Sequence, residues 1–225
     1  GKKIAYAASN ITTSFNDEDR VYFREKVKSF YSIGVRETSL KDLLQPLTDK
    51  NIEVNLDPTL LAGNNWINSL GIEKPKVSNF VFLYEIERHE SVRKKAIELS
   101  KRKGLKLVEL VAFLTLDQSS DLDQTASPLD FLSYIKYADY VVTTSFHGTA
   151  ISILLNKDFY YIRQNNEADN RIFSLLKQLT LEDRIVAEDT KLPLVPIDYE
   201  EVNKRLSVLC QKSANYLIQA IESDL

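Results

Sequence analysis

Short β-branched or aromatic runs alternate with stretches of helical period along nearly the whole chain, and no other feature narrows the choice of fold so far. Residues 4–8, 32–36 and 52–56 read as strands. Between them, 17–31 predicts a helix with Asp17 as N-cap and an apolar face of Val21, Phe23, Val27, Phe30 and Tyr31. Ser39 caps a second helix carrying Leu40, Leu43, Leu44 and Leu47, and 59–70 predicts short helical turns around Trp66. Residues 79–86, NFVFLYEI, form the nearly continuous apolar run expected of a central parallel strand. A helix over 89–103 turns Val92, Ala96 and Leu99 inward and ends at Gly104, and a strand follows over 105–111.

The alternation resumes at Ser127-Pro128, where Pro at the first helical position opens a helix with Phe131, Leu132, Ile135 and Ala138 inward. Then come a strand over 140–144, a helix over 148–155 and a strand over 157–162. A helix over 169–179 buries Ile172, Leu175, Leu176 and Leu179. Pro193 and Pro196 interrupt the chain before a closing helix within 198–225, whose stripe is Val202, Leu206, Leu209, Leu217 and Ile221. The expectation is an α/β fold: a doubly wound, mostly parallel sheet flanked by helices, with 1–225 as a single domain and ligands beyond the carboxyl ends of the strands.

With 225 residues and 44% hydrophobic content the chain can bury one sizeable core. A net charge of −3 gives no general attraction to nucleic acid or anionic membrane. No run approaches the roughly 20 apolar residues of a membrane span. Cys210 is the single cysteine, so there is no internal disulfide; the expected location is the cytoplasm, including the inner face of the membrane. A start at Gly1-Lys2-Lys3 and the lack of any Met read as an engineered, carboxyl-terminal piece of a longer two-domain protein.

One stretch, ADYVVTTSFHGTAISILLN at 138–156, changes period in its middle and carries one of only two histidines. A strand passing through a short turn into a helix leaves the first helical N–H groups pointing at the turn, which favours an anion. Ser145, His147, Gly148 and Thr149 lie there: the glycine for close approach of a ligand to the backbone, and Thr149 with Ser152 as hydroxyl donors. Arg36 and Arg163 fall at strand ends, and Arg171 one loop further on. Singly, each arginine reads as a surface residue or a structural ion pair, and His147 as a helix-start residue. Jointly they would suit a small polyanion, since guanidinium groups grip carboxylate and phosphate in pairs of hydrogen bonds.

Other features point to blander roles. His89 reads as a solvated residue, and the basic run from Arg93 to Lys106 as a solvated helix face. Asp117, Asp121 and Asp123 lie in a polar connection without calcium-loop spacing, and one Cys with two distant His assembles no zinc site, so no metal is expected. Neither G-x-G-x-x-G nor a Walker sequence occurs.

The chain resembles the carboxyl-terminal part of the polysaccharide pyruvyl transferase family. The resemblance is carried by KIAYAAS at 3–9, IGVRE at 33–37, LDPTLL at 56–61 followed by Trp66, SPLDFLSYIKYADYVVTTSFHGTAISILLNKDF at 127–159, and NRIFSLLKQL with LEDR at 170–184. DYVVTTSFHGTA is its most specific portion. The chain departs from the family at Ser9-Asn10, where a Phe-Gly pair is common, and at Arg163-Gln164-Asn165-Asn166, where some members place a lysine.

The resemblance implies a Rossmann-like domain, the second of a glycosyltransferase-B-like architecture, with an amino-terminal acceptor-binding domain preceding it. It implies transfer of the enolpyruvyl part of phosphoenolpyruvate to a sugar of a cell-surface polysaccharide, giving a pyruvate ketal. His147 would be the general acid, and Arg36 with Arg163 or Arg171 would hold the phosphoenolpyruvate. Phosphoenolpyruvate would be a donor substrate, with no cofactor, and a saccharide the acceptor. The alternatives are a glycosyltransferase using a nucleotide sugar and a non-catalytic carbohydrate- or phosphate-binding module.

Overall fold

The computed structural model describes residues 1–111, 122–123, 125–187 and 190–223. In chain order the elements are β1 (Ile4–Ala8), α1 (Asp17–Lys28), β2 (Ser32–Val35), α2 (Thr38–Leu44), β3 (Ile52–Val54), α3 (Pro58–Leu61) and α4 (Asn65–Ser69). They continue with β4 (Phe80–Glu85), α5 (Glu90–Lys103), β5 (Lys106–Val111), β6 (Leu122–Asp123), α6 (Pro128–Tyr137), β7 (Tyr140–Thr143) and α7 (Phe146–Leu154). Last come β8 (Asp158–Ile162), α8 (Asp169–Leu179), β9 (Ile185–Val186) and α9 (Tyr199–Glu222).

Among the described residues every strand pairing is parallel, as the intervening helices require. Where one continuous sheet was expected, the described strands make two: β1-β2-β3 and β6-β5-β4-β7-β8-β9. The chain correspondingly divides into two compact units. The first comprises Gly1–Leu61, Asn165–Thr180 and Glu200–Leu225; the second, Ala62–Gln164 and Leu181–Tyr199. Strand and helix alternate in the same way on either side of residue 61, so periodicity alone carries no mark of where one sheet stops.

In the first unit one face of the sheet packs Ile33, Val35 and Ile52 with Val27 of α1 and Leu40 and Leu44 of α2. Helix α9 closes over this sheet: Tyr216 donates its hydroxyl to the Ala5 carbonyl at 2.7 Å, and Ser213 accepts the Leu56 N–H at 3.0 Å. Gly34 on the central strand permits that closure, because a Cβ there would stand 2.0 Å from Asn55 Oδ1 and 3.0 Å from the Tyr216 ring.

In the second unit Val81, Leu83 and Val142 pack with Val92, Ala96 and Leu99 of α5 and with Tyr160 and Ile162 of β8. Phe82 and Tyr84 meet Phe131 and Tyr134 of α6 in an aromatic cluster. The strand order turns back between β4 and β7, the switch point at which open parallel sheets leave a crevice at their carboxyl ends.

Several expected boundaries shift for local reasons. Asn16, not Asp17, caps α1, because its side chain accepts the Asp19 N–H while the Asp19 carboxylate accepts the Asn16 N–H. That helix ends at Lys28, so Tyr31 lies beyond it, and Val21 is 63% exposed rather than inward. Helix α2 starts at Thr38 with no side-chain cap, so Ser39 is not its N-cap. The stripe of α9 runs through Val202, Leu206, Ser213, Tyr216 and Ala220; Ile221 is 60% exposed. Pro128 at the start of α6, Gly104 ending α5 and the buried face of α8 stand as expected.

Candidate active site

The most specific motif lies where its periodicity put it. Strand β7, in the interior of the six-stranded sheet, delivers the chain through Thr144 and Ser145 into α7. Ser145 is the N-cap, and its hydroxyl accepts the Gly148 N–H at 3.3 Å. Thr143 ties the turn down, donating its hydroxyl to the Tyr84 carbonyl at 2.7 Å and accepting the Ser145 N–H at 3.0 Å. Phe146 is buried and His147 exposed, with the imidazole edge-on to the Phe146 ring at 5.5 Å between centroids. The turn thus anchors its aromatic residue in the core and presents its histidine to solvent.

The neighbouring polar groups have structural duties. Thr149 donates its hydroxyl to the Ser145 carbonyl at 3.1 Å, and Ser152 to the Gly148 carbonyl at 2.7 Å; all are buried. Gly148 is buried too: a Cβ there would stand 2.6 Å from Thr143 Oγ1, so the glycine permits α7 to pack against its own strand. Arg163 follows β8, the next strand of the same sheet, and is exposed; its N–H pairs with the Val186 carbonyl at 3.0 Å.

Arg36 and Arg171 belong to the first unit, where they form a group of their own. Arg36 leaves the carboxyl end of β2 and pairs through Nη1 with Asp57 Oδ2 at 3.0 Å, and Asp57 is only 3% exposed. Glu37, next in sequence, is wholly buried and accepts the Asn10 N–H through Oε1 at 2.7 Å. Burial pushes its carboxyl above the usual range, against the pull of the Asn10 N–H, the Ser9 hydroxyl and the Arg36 and Arg171 charges. Half-buried Arg171 lies in the first turn of α8.

A second buried carboxyl stands at the carboxyl end of β4. Glu85 is 2% exposed, accepts the His89 N–H through Oε2 at 3.0 Å, and has no hydrogen-bond partner for Oε1 among the described residues. Burial pushes it up to about 7, and the Glu109 charge adds to the rise while the His89 N–H, Arg88 and Arg93 oppose it. Glu109 on β5 pairs with Arg88 at 3.0 Å and Arg93 at 2.8 Å.

Sequence reasoning singled out neither Glu37, Asp57 nor Glu85 as a functional candidate. The available signal was a carboxylate at the end of an otherwise apolar strand, as in IGVRE and NFVFLYEI. Asp117 and Asp121 lie outside the described residues; Asp123 accepts the Tyr134 hydroxyl at 2.8 Å. Among the described residues no three His, Cys, Asp or Glu side chains group to hold a metal, and no helix is long and apolar enough to cross a membrane.

A family model described as polysaccharide pyruvyl transferase matches residues 1–166, a span that includes Arg36, His147 and Arg163 but not Arg171. No curated protein matches the chain in sequence. Among solved structures, the UDP-GlcNAc 2-epimerase of Neisseria meningitidis bound to UDP-GlcNAc is similar, with 12% identity, a TM-score of 0.53, and coverage of 98% of this chain and 63% of its own. The Methanocaldococcus jannaschii UDP-GlcNAc 2-epimerase in complex with UDP-GlcNAc and UDP matches at 13% identity and a TM-score of 0.50, covering 92% of this chain and 62% of its own. The chain therefore spans less than two thirds of the length of these structures. Such identities establish fold alone: parallel sheets flanked by helices, of the Rossmann type and glycosyltransferase-B-like.

Proposed function

The chain belongs to the polysaccharide pyruvyl transferase family, and from that membership we propose that it transfers the enolpyruvyl group of phosphoenolpyruvate to a sugar of a cell-surface polysaccharide. The observation that carries this reading is the exposed His147 on the first turn of α7, just past the carboxyl end of an interior parallel strand.

In the proposed reaction His147 gives a proton to the methylene carbon of phosphoenolpyruvate, leaving positive charge on the carbon that bears the phosphate and the carboxylate. One sugar hydroxyl adds to that carbon and loses its proton. A second hydroxyl then displaces phosphate, which departs with the remaining proton, and the two new C–O bonds make the ketal. Imidazole suits the first step because its ordinary titration falls near neutral pH. Arg163, on the same unit as His147, is a proposed ligand of the donor's phosphate and carboxylate. Ser145, Gly148 and Thr149 shape the turn that presents His147 and are also proposed to bind the donor there.

The test is ketal formation from phosphoenolpyruvate by the full-length protein, followed by phosphate release and by the ketal methyl resonance. His147→Ala should lower kcat by roughly 10²- to 10⁴-fold while the circular dichroism spectrum stays unchanged. Undiminished turnover removes His147 as the acid. Titration against a panel of UDP-sugars completes the test: binding of a UDP-sugar without binding of phosphoenolpyruvate overturns the donor assignment.

A further inference from the structure

A cleft of about 780 Å³ opens at the amino-terminal end of the six-stranded sheet, a volume suited to a small organic ligand or a short piece of a chain. Its walls are the segment before β4, the start of β5, β6 and α6, all of them in the second unit. Lys74, Lys76 and Lys106 line it; all three are exposed, and none takes part in an ion pair or a side-chain hydrogen bond among the described residues. Counted as charges, they are matched by Glu73, Asp123 and Asp130 on the same walls. Counted as hydrogen-bonding groups, they are not. Asp123 accepts the Tyr134 hydroxyl at 2.8 Å and the Thr125 N–H at 2.9 Å, and Asp130 accepts the Ser127 N–H at 2.8 Å in the box that caps α6. What the cleft offers a ligand is therefore mainly ammonium donors, with apolar surface from Pro75, Val77 and Leu107. Near-balanced charge disfavours a dense polyanion. Spare donors beside apolar walls suit a ligand rich in neutral oxygens with a scattered carboxylate, which describes an acidic sugar chain.

Because β4, β5 and β7 run parallel, the cleft lies at the opposite end of the sheet from the turn that carries His147. The six residues of β4 put roughly 20 Å between those ends. We propose that the cleft is a saccharide subsite that holds a carboxylate-bearing stretch of the polysaccharide away from the reacting sugar. The proposal rests on the ketal reading in one respect: each ketal leaves a carboxylate on the polymer, so sugars already modified carry the charge that the lysines receive. The ammonium groups donate to that carboxylate and to hydroxyl oxygens, and the apolar walls take the C–H face of a sugar ring. Occupation of the cleft leaves the turn at His147 open, so the polymer stays bound while donor enters and phosphate leaves.

The experiment titrates the full-length protein with a fluorescently labelled oligogalacturonate, which has a carboxylate on each sugar, and with its methyl ester, which keeps the skeleton and loses the charge. The acid should bind saturably and the ester roughly tenfold more weakly, and excess phosphoenolpyruvate should not displace the acid. Lys74→Gln, Lys76→Gln and Lys106→Gln should each weaken binding roughly threefold, and roughly thirtyfold together, with the urea midpoint unchanged. A control triple, Lys28→Gln with Lys94→Gln and Lys204→Gln, removes as many charges from exposed lysines outside the cleft. It should change binding by less than about twofold. Full binding by the cleft triple overturns the proposal, as does an equal loss in the control, equal affinity for the ester, or displacement by phosphoenolpyruvate. The titration needs no turnover, so the two readings fail separately. A protein that makes no ketal but loses the probe with its three cleft lysines keeps the subsite and loses the ketal reading; one that makes the ketal without cleft-dependent binding does the reverse.

Discussion

Glu85 shows how one side chain links packing to pH. Its carboxyl is buried at the end of β4, where one oxygen accepts the His89 N–H and the like charge of Glu109 lies on the adjacent strand. Because its folded value, about 7, lies above that of the unfolded chain, the folded state binds the proton more tightly. The stability it contributes is full below the unfolded value and is lost as pH rises through about 7. Glu85→Gln keeps the neutral form at every pH. Relative to wild type, the variant should gain stability on the order of 3 kcal/mol between pH 5 and pH 8, measured by urea unfolding at both. A constant difference would show that Glu85 does not titrate with folding. His147, by contrast, was legible as a candidate because its flanking residues change period around it. Glu37 was not: its neighbours in sequence show a strand end, while Asn10, whose N–H it accepts, is remote in the chain.

At the scale of elements, the β7–α7 junction depends on how closely a helix can approach the strand that feeds it. Thr143 is fully buried and its hydroxyl is engaged on both sides, by the Tyr84 carbonyl and the Ser145 N–H. It cannot turn aside for an added methyl group without breaking one of them. Gly148→Ala should therefore destabilise the protein by about 1–3 kcal/mol, read as a fall in the urea midpoint. An unchanged midpoint would mean that α7 can shift away from β7 at no cost. The glycine was visible in the sequence and was read there as space for a ligand. The packing reason emerges only with the helix laid against Thr143. Helix starts were more legible where the cap is local: Ser127, Pro128 and Asp130 lie within four residues, and the capping box they form is present.

For the whole molecule, the first unit is discontinuous in sequence: its three-stranded sheet comes from the amino-terminal part of the chain, and α9 from the carboxyl-terminal part. Ending the chain at residue 203 removes Ser213 and Tyr216, and with them the contacts to Leu56 and Ala5. Amide exchange at Ile33 and Val35 should then accelerate, while Val81 and Leu83 in the second unit retain their protection. Equal protection in the truncated and intact chains would show that α9 is dispensable to the sheet. Strand and helix identity, parallel pairing and the strand–turn–helix around His147 were legible from residues 138–156 and their counterparts, because hydrogen-bonding pattern and side-chain period are set by near neighbours. Packing alone settled the division into two sheets, the burial of Glu37 and Glu85, and the pairing of Arg36 with Asp57. Burial and charge proximity depend on which distant segments the folded chain lays side by side, and local periodicity carries no record of that.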